Sequence, residues 1–146
     1  MVIGGRPVRC FSTAWDPNWD FKQLDAEVGA CASQTFFEVL VLVLAVELWG
    51  QSGHPTVVLG DNVAALQLAL DLKGKDGQAS LAQALAVLVV SRTLHLTVGH
   101  LPSEANEAAD ALSRQAEPGN CKPWPFGPEV ARDTPLPVEV LMGWIS

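Results

Sequence analysis

Three acids sit where a carboxylate needs a partner. Glu38 falls inside the apolar stretch Phe36 to Trp49. Asp61 follows the short apolar run Thr56-Val57-Val58-Leu59-Gly60. Asp110 lies in an alanine-rich segment, one helical turn after Asn106. Burying a carboxylate is costly unless it is paired or binds a metal. Acids brought together from strand ends and helix starts can form an oxygen-ligand site for Mg²⁺ or Mn²⁺. Each acid also has a simpler reading. Asp61 could cap a helix beginning near Val63. Glu38 could be a first-turn acid meeting a helix dipole. Asp110 could be a solvated helix residue.

The elements that must position these acids can be read from the pattern. Met1 to Val8 suggests two strands around the turn at Gly4-Gly5, with the second strand running from about Val8 to Ala14. Trp15-Asp16-Pro17-Asn18-Trp19-Asp20 reads as a turn-rich loop. The apolar pattern from residue 34 to Gly50 is too long for an ordinary strand, so a helix is expected with Gly50 at its C-cap. Thr56 to Gly60 reads as a short buried strand. Ala64, Ala65, Leu68, Ala69 and Leu72 then recur at helical spacing. Lys73 to Gly77 is a polar loop, and a helix is expected from about Ser80 to Ser91. Leu94 to Val98 alternates like a strand. Pro102-Ser103 opens a last helix with Ala105, Ala108, Ala109 and Leu112 as a narrow apolar stripe. From Glu117 onward the chain is proline-rich and reads as an extended tail or linker. The order indicates an α/β fold with a mixed sheet flanked by helices.

Two segments resemble a known family. Val57-Val58-Leu59-Gly60-Asp61-Asn62 is similar to the strand-end Asp-Asn of ribonuclease H-like domains of the retroelement, reverse transcriptase-associated type. The run from Gly99-His100-Leu101-Pro102 through Asn106-Glu107-Ala108-Ala109-Asp110 to Leu112-Ser113-Arg114 resembles the closing motif of that family. There a glycine-histidine loop leads to Asn, then to Asp four residues on. Gln34-Thr35-Phe36-Phe37-Glu38 resembles its glutamate-bearing helix start. The resemblance spans residues 1–116 and leaves 117–146 as the tail.

The resemblance implies a ribonuclease H-like fold and two-metal hydrolysis of the RNA strand of an RNA–DNA hybrid, with Mg²⁺ or Mn²⁺ ions about 4 Å apart and the RNA told from DNA by its 2′-OH. Glu38, Asp61 and Asp110 would be metal ligands. His100 would match a loop histidine that moves a proton or helps the product leave. Asn62, Asn106 and Glu107 would be substrate-side or supporting residues. A polymerase module of the same polyprotein would be the natural partner.

One departure is plain. The family has four acids, and the first is an Asp on an opening strand that precedes two more strands. No Asp lies upstream of Asp16, and Asp16, Asp20 and Asp25 fall in or after the loop, where turn and surface roles suit them. The expectation is therefore an N-terminally truncated domain, inactive as this chain alone. The alternative is a non-catalytic scaffold or interaction module of the same fold.

Composition limits other readings. The chain has 146 residues, 49% of them hydrophobic and 17% charged, which suits one folded domain rather than disorder. Its net charge of -7 does not itself attract phosphate, and a neighbouring polymerase could supply the basic surface. Cys10, Cys31 and Cys121 show no metal-site spacing and read as thiols of a reducing compartment. No signal peptide is visible, and the run Val39 to Val46 is far below the roughly 20 residues of a membrane span. An intracellular location, cytoplasmic or nuclear, is expected. Neither GxxxxGK[ST] nor GxGxxG occurs, which disfavours a nucleotide-binding domain.

Overall fold

The computed structural model describes residues 1–13, 21, 26, 30, 33–75, 77–115 and 117–145. In chain order the elements are β1 (Val2–Ile3), β2 (Arg6–Pro7), β3 (Arg9–Cys10), α1 (Gln34–Trp49), β4 (Pro55–Gly60), α2 (Val63–Asp71), α3 (Gln78–Ser91), β5 (His95–His100), α4 (Glu107–Ser113), β6 (Ala131–Arg132) and α5 (Val138–Ile145). A short 3-10 turn, Ser103–Ala105, precedes α4. The fold is mixed α/β. Its described strands form three pairs, β1 with β2 antiparallel, β3 with β6 parallel and β4 with β5 parallel. The turn-rich loop expected at Trp15 to Asp20, and Asp25 and Cys31, lie outside the described residues.

The chain divides into two compact units. One comprises Met1–Ala14 and Pro102–Pro135, the other Trp15–Leu101 and Leu136–Ser146.

In the first unit, Gly4 and Gly5 have φ of 57° and 76°. A two-residue hairpin turn needs this left-handed backbone, and glycine adopts it without steric penalty. The hairpin closes on Arg6–Pro7 rather than on the strand expected from Val8 to Ala14, whose described residues hold the short strand Arg9–Cys10. Arg9 holds Asp133 through two hydrogen bonds, Nε to Oδ2 at 2.8 Å and Nη2 to Oδ1 at 2.9 Å. This fork reinforces the register of β3 on β6. Residues beyond Glu117 are therefore not simply an extended linker. They carry β6, and later α5.

The second unit is built around α1. Val39, Leu40, Val43 and Leu44 are fully buried, and Phe36, Leu42 and Val46 nearly so. Helix α1 packs on α2 and α3, and α3 in turn packs on α5. Leu81 and Leu85 of α3 and Leu141 of α5 complete the core. Burying a large aliphatic side chain contributes about 1.5–3 kcal/mol, so this group is the main stabilising feature of the unit. Among the described residues, no helix is long and apolar enough to cross a membrane.

Both ends of α1 are tied down. At its start the rings of Phe21, Phe36 and Phe37 form an edge-to-face trio with centroids 5.3–5.8 Å apart. At its end Gly50 donates its backbone N–H to Val46, as expected of a C-cap, but with φ of -66° rather than a left-handed backbone. Arg92 adds further partners there. Its Nη1 reaches the carbonyls of Val46, Glu47 and Gly50, and its Nη2 pairs with the Glu47 carboxylate at 3.2 Å. A cation at a helix C-terminus satisfies orphan carbonyls and complements the dipole.

Strand β4 is not a buried strand. Its residues alternate, with Val57 63% and Leu59 57% exposed, while Thr56, Val58 and Gly60 are half-buried. The cause is that α2 packs on one face of the β4–β5 pair, against Gly60, where the side chain of Leu66 sits. The last helix also differs from expectation. Pro102-Ser103 begins only a 3-10 turn, and Ala105, Ala108 and Ala109 are exposed instead of forming a buried stripe. Leu112 is half-buried, and its carbonyl accepts from Ser12 Oγ at 2.8 Å.

Candidate functional site

The parallel pairing of β4 and β5 sets the geometry of the candidate site. Gly60 stands opposite His100 at the end of both strands, and Leu101 N–H donates to Gly60 at 2.8 Å. Asp61 is the next residue after Gly60. The sheet register thus places His100 and Asp61 at the same, C-terminal edge. In open α/β sheets this edge is where ligands bind, because the chain leaves the sheet there and exposes polar backbone and side chains. Asp61 is half-buried and His100 exposed.

Asn62 turns this edge toward α1. It is the N-cap of α2, with its Oδ1 accepting from Ala65 N–H at 3.0 Å. The cap is therefore Asn62 and not Asp61, which leaves the Asp61 carboxylate uncommitted to α2. The other half of the Asn62 amide donates from Nδ2 to Thr35 Oγ1 at 3.3 Å. Thr35 is the second residue of α1, and Glu38 stands three residues later on the same helical face. One side chain thus couples the segment of Asp61 to the segment of Glu38.

Glu38 is half-buried, and its Oε1 accepts from Gln34 Nε2 at 3.1 Å. It lies past the first turn of α1, which holds no acid, so a helix-dipole role does not explain its place. An i,i+4 partner instead restrains its carboxylate. Glu38 and Asp61 offer hard oxygen donors, and neither is sealed from water. Mg²⁺ takes one or two protein carboxylates, completing its shell with water and substrate phosphate. In donor type the two carboxylates suit such an ion.

Asp110 belongs to the first unit and is already engaged. Its Oδ1 accepts from Arg114 Nε at 2.8 Å and its Oδ2 from Lys122 Nζ at 3.0 Å. The hydrogen bond from Arg114, then that from Lys122, holds its carboxyl below the ordinary aspartate value. The spacing of Asn106, Asp110 and Arg114 has a local structural reason. Asp110 N–H donates to the Asn106 carbonyl and Arg114 N–H to that of Asp110, so the three stand one turn apart. Asn106 precedes α4 without a side-chain cap bond, and Glu107 is exposed on its first turn.

The second unit thus brings Glu38, Asp61, Asn62 and His100 onto neighbouring segments. The first unit holds Asn106, Glu107 and Asp110. Within neither unit do three His, Cys, Asp or Glu side chains among the described residues form a group that could hold a metal. Cys10 is buried, Cys121 exposed, and both are free thiols.

Sequence reasoning missed two residues of this arrangement, Thr35 and Lys122. A Thr at the second position of an apolar helix is a weak signal, since Thr is a mediocre helix former whose presence there invites a search for a hydroxyl partner. Nothing local points from Lys122 to Asp110. Comparison with models of known protein families, with curated proteins and with solved structures found no match.

Proposed function

We propose that the chain is a ribonuclease H-like domain whose Glu38 and Asp61 hold a divalent cation at the C-terminal edge of β4 and β5, for work on the RNA strand of an RNA–DNA hybrid. The observation that carries this reading is the Asn62 bridge. It couples the two acid-bearing segments that the sequence motifs single out, at the sheet edge where such sites form. The resemblance of residues 99–114 to the family's closing motif supports it independently.

In this reading Glu38 and Asp61 supply the carboxylate oxygens, and Gln34 restrains Glu38. A bound Mg²⁺ or Mn²⁺ supplies Lewis acidity and charge stabilisation at the phosphate. His100, exposed and paired with Gly60 through the strand register, would take or give a proton at a ring nitrogen. Asp110 is held by Arg114 and Lys122 within its own unit. With a net charge of -7 the chain as a whole does not attract phosphate, and in this reading the ion and a partner such as a polymerase module would add to phosphate affinity.

A second reading, a non-catalytic module of the same fold, is favoured by one observation. Both oxygens of Asp110 are occupied by cationic side chains. No acid of the sequence matches the first acid of the family either. Fluorescence anisotropy of a labelled RNA–DNA hybrid, with Mn²⁺ and with EDTA, separates the two. The nuclease-type reading expects ion-dependent binding that Asp61→Asn abolishes. Binding indifferent to both the ion and Asp61→Asn would overturn it in favour of the scaffold.

A further inference from the structure

We propose that Thr35 is a positioning residue for the acidic pair, its hydroxyl acting as the anchor through which Asn62 sets the separation of Glu38 from Asp61. This inference rests on the reading of Glu38 and Asp61 as ion-holding acids and deepens it.

The argument begins with the orientation of the Asn62 amide. Its Oδ1 accepts from Ala65 N–H, a backbone donor that a flipped amide would meet with a second donor. The cap therefore fixes which end of the amide faces α1, and Nδ2 is directed to Thr35 Oγ1. The hydroxyl can accept this bond and still donate elsewhere. Asn62 and Thr35 are both half-buried, so water competes less for this bond than at an exposed site.

The choice of Thr also needs a reason. Thr is no better a helix former than Ala. Helix stability does not select it at position 35. Its value lies in the contact across to Asn62. Thr35 and Glu38 share a face of α1, while Asn62 adjoins Asp61. Shifting the Thr35–Asn62 contact moves one carboxylate relative to the other. Supporting residues of this kind typically change metal affinity by about 10–100-fold when removed.

The test is Mn²⁺ titration of the full chain by electron paramagnetic resonance, with melting temperatures measured on the same samples. The variants are Thr35→Val, which removes the hydroxyl at constant shape, Thr35→Ser, which keeps it, and Asp61→Asn. The expected result is that wild type binds Mn²⁺ and Asp61→Asn does not. Thr35→Val should weaken binding roughly tenfold while lowering the melting temperature by only a few degrees, and Thr35→Ser should restore both. Wild-type affinity in Thr35→Val overturns the positioning role and leaves the acidic pair intact. A loss of affinity that tracks a loss of melting temperature and is not rescued by Thr35→Ser makes the hydroxyl structural and also overturns it. Absence of Mn²⁺ binding by wild type, or binding unchanged by Asp61→Asn, overturns the acidic-pair reading and this inference with it.

Discussion

Asn62 Nδ2 lies 3.3 Å from Thr35 Oγ1, while Asn62 Oδ1 caps α2 through Ala65. One amide thus serves two elements, and the two functions can be separated. Asn62→Ala should lose both, about 1 kcal/mol for the cap and a further ~1 kcal/mol for the second bond. Asn62→Ser keeps a capping oxygen but not the amide donor, so its loss should be about half as large. Urea denaturation with an unchanged m-value reads the difference. Equal losses in both variants would show that the Thr35 bond carries no stability.

Arg92 closes the C-terminus of α1 with three backbone carbonyls and the Glu47 carboxylate. Arg92→Met retains the aliphatic stem and removes the fork. It should destabilise the protein by about 1.5–3 kcal/mol, the range for hydrogen bonds to a charged group. Arg92→Lys should recover only part, because an ammonium cannot span this set of acceptors. A loss below ~0.5 kcal/mol in Arg92→Met would place Arg92 among ordinary surface cations.

Asp110 has its carboxyl held below the ordinary aspartate value by the hydrogen bond from Arg114 and then that from Lys122. For a depressed carboxyl, the stabilisation is fully present above the unfolded-state value. It fades as pH falls through that value toward the lower folded one. Carboxyl carbon chemical shifts should give Asp110 a midpoint below that of a free aspartate, moving upward in Arg114→Met and again with Lys122→Met. The downward shift should shrink in high salt, because the group is exposed. A normal midpoint in the wild type would remove the reason to think Asp110 is occupied.

Thr93 has φ of 50°, a left-handed backbone that a β-branched residue adopts only with strain. It is exposed, so its side chain has little packing to lose. Thr93→Gly should raise stability by about 0.5 kcal/mol, the relief of strain being partly offset by the freer unfolded chain. Thermal unfolding would show a small upward shift, and a clear fall would mean that the Thr93 side chain holds the α3–β5 turn.

Much of the second unit was legible in the sequence. The length of the apolar run identified α1, the glycine marked its end, and the Asp-Asn pair marked the turn from β4 to α2. What was not legible depends on partners distant in the chain. The alternation of β4 became apparent only once α2 was seen on one face, leaving Val57 and Leu59 outward. The alanines around Asp110 read as a buried stripe, since spacing alone does not say whether a helix has a neighbour. Thr35 was passed over because its partner lies beyond the whole of α1 and β4. The proline-rich end misled for a related reason. Its prolines suggest extension, but Val130, Val138 and Leu141 are buried, and that burial organises β6 and α5.

The divalent ion proposed for Glu38 and Asp61 would sit at the C-terminal edge of β4 and β5. Paramagnetic broadening of backbone amide signals on substoichiometric Mn²⁺ addition tests this placement most directly. The account predicts that residues around Thr35 to Glu38, Gly60 to Asn62 and His100 to Leu101 broaden first. It also predicts that Asp61→Asn removes the effect. Broadening confined to other acidic surface, or spread evenly over the chain, would contradict it.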